Sequence, residues 1–282
     1  MLRSTVHQPK SQERMLERFA ELYHYRELLK NLVIRDLKVR YKSSVLGVLW
    51  SLLNPLLMTL VFTVVFTLML RRGIENYPVF FLCGYLPWGF LGSSVGGATG
   101  SIVANASLIK KVYFPRELLP LSGVLSNLVN FLVALLVLFA MLLVFRIKLT
   151  PAALMLPLLI FIQTLFVLGL AFFLSTANVF YRDTQHILQP LMQAWFFLTP
   201  VFYSIKTLPE SAEILGLTIN VQLWVRRLNP MASLVASYRD ILYWGAPTGL
   251  DFLVRTAVTC LVVLVIGYLI FLRFSPSFGE EV

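Results

Sequence analysis

Arg35, Lys38, Arg40 and Lys42 stand within eight residues of one another in IRDLKVRYK, residues 34–42, and the chain then carries no charge from Val45 to Leu70. Basic side chains at the edge of a long apolar run attract anions. Against an anionic membrane leaflet each adds ~1 kcal/mol of attraction. The four residues therefore form a cationic shelf that anchors the chain, or serve only as a charge cluster that halts it at the membrane. A second group follows in NASLIKKVYFPRELLPL, residues 105–121: Leu108, Ile109, Lys110, Lys111, Tyr113, Phe114 and Arg116. A plain turn has no need of so many apolar residues, and an apolar surface on a short basic loop suits docking to a partner. Arg182 and Asp183, in NVFYRDTQHI, offer a third place. They are another contact for the same partner, or an ion pair at a membrane boundary with Tyr181 as its anchor.

Catalytic chemistry is not expected. No G-x-x-x-x-G-K-[ST] loop is present to cradle a nucleotide, and no H-E-x-x-H is present to hold zinc. His7, His24 and His186 are scattered. Cys83 and Cys260 read as small apolar packing residues, so no metal site is expected.

Composition says what elements must position these groups. The chain of 282 residues is 58% hydrophobic and only 13% charged, whereas soluble domains carry about a quarter of their residues charged. Six apolar runs, near 46–70, 79–104, 118–145, 152–180, 187–204 and 252–272, read as membrane helices. With the N-terminus inside, 15 of the 24 Lys and Arg fall on the inner side and 9 on the outer. The positive-inside rule thus puts both termini in the cytoplasm. The net charge of +10 is accordingly read as facing a membrane, with no nucleic acid as partner.

Residues 1–12 are expected to be flexible, with no signal peptide. Over 13–44, the stripe Leu22, Leu29, Val33, Leu37 and Tyr41, set against Arg26, Lys30, Arg35 and Lys38, predicts an amphipathic interface helix. Residues 45–282 then form one six-span domain. Asn54-Pro55 predicts a bend in span one. Gly92, Gly96 and Gly100, at i+4 spacing, predict close approach of another helix. Between spans five and six, the apolar stretches 214–225 and 231–244 are too short and too charged to span. They predict two short re-entrant outer helices within 207–248. The expected fold class is all-α and polytopic, and the tail is expected to hold no domain.

Carboxylates are nearly absent from the spans, which weakens an ion-driven transporter. Docking loops without a nucleotide loop point to a permease driven by a separate ATPase. The ordered set RDLKVRYKSSVLGVLWSLLNPLL, LPWGFLGSS, NASLIKKVYFPRELLPLS, NVFYRDT, LTPVFY and LNPM, within residues 25–275, resembles the membrane subunit of bacterial type-2 ABC exporters of lipid-linked polysaccharides. That family handles O-antigen, capsular polysaccharide and teichoic acid.

The resemblance implies a homodimer in the bacterial inner membrane with two ABC nucleotide-binding subunits below it. ATP and Mg bind those subunits, so no cofactor is expected in this chain. It implies that 105–117 is the gate and coupling loop, and that the cargo is a glycan on undecaprenyl diphosphate. Arg35, Lys38, Arg40 and Lys42 are then candidates to hold the lipid-diphosphate head, with simple anchoring as the other reading. WFFLTPVFY, residues 195–203, sets Trp195, Phe196, Phe197, Phe202 and Tyr203 near the outer end of span five. The resemblance places spans one and five along the pathway, so these rings line it or else form an interfacial aromatic belt. The alternative with the same architecture is a type-2 ABC permease for a drug or a non-polymer lipid.

Overall fold

The computed structural model describes residues 21–42, 46–69, 73–214 and 217–282. The segment expected to be flexible over 1–12 and the start of the helix expected from residue 13 lie outside the described residues.

Helix α1 is Arg26–Tyr41. Helix α2, Trp50–Thr63, widens into a π-helical turn over Val64–Met69. Helix α3, Tyr77–Thr99, starts after the left-handed Asn76 and carries Pro78 in its first turn, where a missing N–H costs nothing. It stops at Gly100, and two short helices follow, α4 (Ser101–Ala104) and α5 (Ala106–Lys111). Then come α6 (Leu118–Val144), α7 (Leu156–Phe180) and α8 (Thr184–Leu198). Strands β1 (Ser211–Ile214) and β2 (Leu217–Asn220) precede α9 (Val221–Leu228) and α10 (Pro230–Arg239). Helix α11 is Leu250–Phe274 and α12 is Phe278–Glu281.

Among the described residues, five helical segments are long and apolar enough to cross a membrane: Trp50–Thr67, Tyr77–Thr99, Leu118–Val144, Pro151–Phe180 and Leu250–Glu281. The run expected to span over 187–204 forms the 15-residue α8, which is not among these five. At 1.5 Å per residue it is about 22 Å long, short of a ~30 Å hydrocarbon layer. It ends where it does because Thr199, which is extended, precedes Pro200, and a residue before proline is driven out of the helical region. The all-α expectation holds for the bundle, with one small addition. β1 and β2 form a small antiparallel hairpin, with Ser211 opposite Asn220 and Ile214 opposite Leu217.

Helix α3 is the axis of the bundle. Over its most apolar 18 residues 72% are buried, against 11% over Trp50–Thr67 at the periphery. Phe90 of α3 stacks on Phe131 of α6 at 5.3 Å. Gln163 of α7 donates to the Pro87 carbonyl at 2.7 Å and accepts from the Tyr238 hydroxyl of α10 at 2.8 Å. One buried amide therefore joins three helices, and its own polar atoms are satisfied as burial requires.

Helix α1 runs beside α6. Ser122 donates to Asp36 at 3.4 Å and Tyr41 donates to Asn130 at 2.6 Å. The contact thus advances eight residues, about 12 Å, along α6. Leu32 is buried in a small cluster with Phe114, Leu118, Phe271 and Phe278. The helix expected to lie in the membrane interface is therefore packed against the bundle along this face.

The close helix approach expected at Gly92, Gly96 and Gly100 is found elsewhere. A Cβ at Gly96 would meet nothing within 4 Å, whereas one at Gly267 of α11 would overlap the Gly169 carbonyl of α7. Glycine spacing alone does not say whether a helix or an empty space lies opposite.

Candidate functional site: a cleft from a basic end to an aromatic end

The four shelf residues part company in the fold. Arg35 donates to Asn105 at 3.1 Å and pairs with its neighbour Asp36 at 3.0 Å. Asp36 in turn holds Ser122, so Arg35 ties α1 to the 105–117 loop and to the start of α6. Arg40 points into a cleft of about 370 Å³ whose polar lining includes Ser51, Asn54, Ser93, Asn127 and Asn130. Arg35 and Arg40 share an adjoining cleft with Gly96, Gly100 and Gln185. Lys38 and Lys42 lie in a groove beside Val129 and Val133 of α6 that Arg35 also lines.

The coupling-loop residues divide too. Tyr113 is 84% exposed and Phe114 is 4% exposed. Lys110 and Lys111 are exposed in the last turn of α5. Leu108 and Ile109 pack against the cluster around Phe271 and Phe278, and Arg116 donates to the Ser275 carbonyl. The outward face is thus Lys110, Lys111 and Tyr113, while Leu108, Ile109, Phe114 and Arg116 fasten the loop to the bundle. Arg182 and Asp183 are exposed at the head of α8. They form no ion pair with each other among the described residues.

At the opposite end the five aromatic candidates come together. Phe202 lies 5.5 Å from Phe196, 5.7 Å from Phe197 and 5.1 Å from Tyr203, ring centre to ring centre. It also meets Phe62 at 5.9 Å and Phe66 at 5.4 Å. These two rings stand one helical turn apart at the end of span one, and that i,i+4 spacing is the sequence signal that marks them. Trp88 adds contacts to Trp195 and Phe196 at 5.7 and 5.6 Å. A cleft of about 640 Å³ bounded by Phe62, Tyr85, Trp88 and Phe196 continues down between α3 and α8 to Gly96 and Gln185. There it meets the basic end.

Two residues hold this aromatic end: Asn229, which lies in LNPM but has no role of its own in the sequence reading, and Arg239. Asn229 accepts from the Met231 and Ala232 amides at 3.1 and 3.3 Å, capping α10. The same side chain accepts from Trp195 at 3.0 Å and donates to Thr199 at 2.9 Å. LTPVFY and LNPM are thereby joined through one amide. Arg239 is 5% exposed. Its guanidinium donates to the carbonyls of Phe80, Pro200, Val201 and Tyr203 and lies 3.6 Å from the centre of the Phe80 ring. No carboxylate pairs with it among the described residues. A lone arginine within the apolar stretch 231–244 is itself a signal, since such a charge persists in an apolar setting only when its donors are matched.

GSSVG, residues 92–96, has the G-x-S-x-G spacing of a hydrolase elbow. That motif works only where a strand turns sharply into a helix and a base reaches the serine. Here Ser94 lies within α3 and is buried with no hydrogen-bond partner, so the spacing carries no nucleophile.

Residues 27–243 match the family described as ABC-2 type transporter. The chain is 38% identical over 269 residues to the O-antigen export system permease protein RfbA of Myxococcus xanthus, covering 95% of this chain and 100% of that protein. It is 34% identical over 257 residues to an O-antigen export system permease protein RfbA of Klebsiella pneumoniae, covering 90% and 94%. A second RfbA from that organism is 32% identical over 255 residues.

Proposed function

The chain belongs to the ABC-2 type transporter family, and from that membership we propose that it is the membrane permease of an exporter of undecaprenyl-diphosphate-linked polysaccharide. It works as a homodimer in a bacterial inner membrane, with both termini cytoplasmic. Two separate ATPase subunits bind ATP and Mg and drive it. The O-antigen export named for its relatives supports a polysaccharide cargo over a drug or a non-polymer lipid.

The observation that carries this reading is the cleft that begins among Arg35, Arg40 and Gln185 and ends among Phe62, Trp88 and Phe196. An anionic lipid head suits the first end, where arginine can clamp phosphate oxygens with two parallel bonds. Sugar faces suit the second, where rings guide a varied chain without gripping one unit. In this reading α8 and the turn after it make the fifth of six crossings. The hairpin, α9 and α10 re-enter from outside, which explains why α10 is buried. Helix α1 rests at the cytoplasmic interface.

Lys110, Lys111 and Tyr113 face the ATPase. Lys110→Glu with Lys111→Glu is expected to cut co-purification of the ATPase and surface glycan about tenfold, two rim charges being worth of order 1 kcal/mol or more together. Insertion should be unchanged. The measurement is pull-down from cells that make the glycan and lack their own permease, with export normalised to inserted protein. Wild-type assembly and export in that double variant would remove the loop's basic face from the mechanism.

A further inference from the structure

The side of α8 that faces α3 carries Gln185, Gln189 and Gln193, one turn apart, and all three line the cleft. They are exposed to it, and among the described residues none makes a hydrogen bond to protein. In the export reading α8 is part of a crossing, where amides left without partners are costly, so water or a passing polar group meets them. Opposite stand Gly92 and Gly96. A Cβ at Gly92 would come no nearer than 3.8 Å to Met192, and one at Gly96 would meet nothing. Space is therefore open beside Gly92 and Gly96 on the wall of the cleft, and at its lower end a Cβ at Gly100 would lie 3.5 Å from the Gln185 amide oxygen. Asn127, 3% exposed, borders the adjoining cleft and keeps an unpartnered Oδ1.

We propose that Gln185, Gln189 and Gln193 form a ladder that hydrogen-bonds the hydroxyls of neutral sugar units in the lower half of the cleft, before the chain reaches the rings. This rests on the export reading above and adds to it a division of the path into an amide half and an aromatic half. The chemistry is reciprocal. A hydroxyl has one donor and two acceptor lone pairs, and a glutamine amide has two donors and an acceptor oxygen. Every sugar can thus meet every rung in one direction or the other. The rungs stand about 6 Å apart. They carry no charge, so no single contact traps the chain, and a pathway conducts only when each site is weak enough to leave.

The test places a cysteine at Gln189 in the complex of permease and ATPase in vesicles, where Cys83 and Cys260 are both buried. A hydrophilic maleimide reads access. Undecaprenyl diphosphate bearing a neutral glycan is expected to slow labelling at 189 about tenfold, as a few hydrogen-bonded sugars resident in the cleft would, while the same carrier without sugar leaves the rate unchanged. Gln185→Leu with Gln189→Leu and Gln193→Leu is expected to lower export about tenfold with ATPase co-purification retained. Equal protection by the sugar-free carrier would assign the amides to lipid and overturn the proposal. So would a cysteine inaccessible in the empty complex, which would assign them to the second copy of the chain. Export with residue 189 unprotected overturns this inference alone. A wild-type complex that moves no glycan overturns the export reading and this inference with it.

Discussion

Arg239→Leu is expected to be the most damaging single change at the aromatic end. The guanidinium is the donor for four carbonyls, three of them in the turn Pro200–Tyr203, and it covers the Phe80 ring. Leucine fills part of the volume but leaves those carbonyls without donors, and each unmade buried hydrogen bond costs about 1–3 kcal/mol. Even if water reaches half of them, the loss is about 2 kcal/mol or more, a large share of a typical folding stability. The turn that presents Phe202 to Phe62, Phe66 and Phe196 then loses its hold. Arg239→Lys should recover only part, because an ammonium has three donors and no plane to lie on a ring. Thermal unfolding of the purified complex checks this, together with export per inserted protein. A melting temperature and export equal to wild type in Arg239→Leu would show that the cage holds nothing.

Gly267→Val is the second large effect. A Cβ there would fall on the Gly169 carbonyl, and one at Gly169 would lie 2.6 Å from the Val263 carbonyl and 2.7 Å from Leu264 Cα. These obstacles are backbone, so no rotamer change relieves them. Helices α7 and α11 must part, and overpacking of this kind costs about 1–3 kcal/mol or more. The neighbouring contacts of Phe172 with Phe271 and Tyr268 depend on the same approach. Gly96→Ala provides the contrast. Nothing lies within 4 Å of its Cβ, and alanine favours helix over glycine by about 1 kcal/mol. Thermal unfolding should therefore separate a strongly destabilised Gly267→Val from an undisturbed Gly96→Ala. Equal stabilities would mean that the two helices do not touch as described.

The contrast also shows what a sequence can and cannot say about such a chain. Length and apolar continuity locate five long helices within a few residues, because burial in lipid requires runs that nothing else explains. The charged loop 105–117 is legible as a surface, but which side of it faces out is not. Phe114 and Tyr113 are adjacent in sequence and opposite in exposure, and only the tertiary cluster around Phe278 decides between them. The rings of WFFLTPVFY are legible as a group. Their partners Phe62, Phe66 and Trp88 come from other helices, and pairing across helices leaves no mark at short range. Asn229 and Arg239 go further in the same direction. An amide and an arginine look ordinary until Thr199, Trp195 and the carbonyls of the Pro200 turn are brought beside them. The hairpin strands are short and run into the apolar stretch 214–225, where helix and strand periods cannot be told apart over four residues.

ATP-driven movement of an undecaprenyl-diphosphate-linked glycan across vesicles that hold the purified chain, with and without its ATPase partner, tests the export reading most directly. With the partner and Mg-ATP, the glycan should become accessible on the far side at a rate that falls to background when ATP is omitted. The chain alone should neither hydrolyse ATP nor move the glycan. ATP hydrolysis by the lone chain, or glycan movement that needs neither partner nor nucleotide, would contradict it.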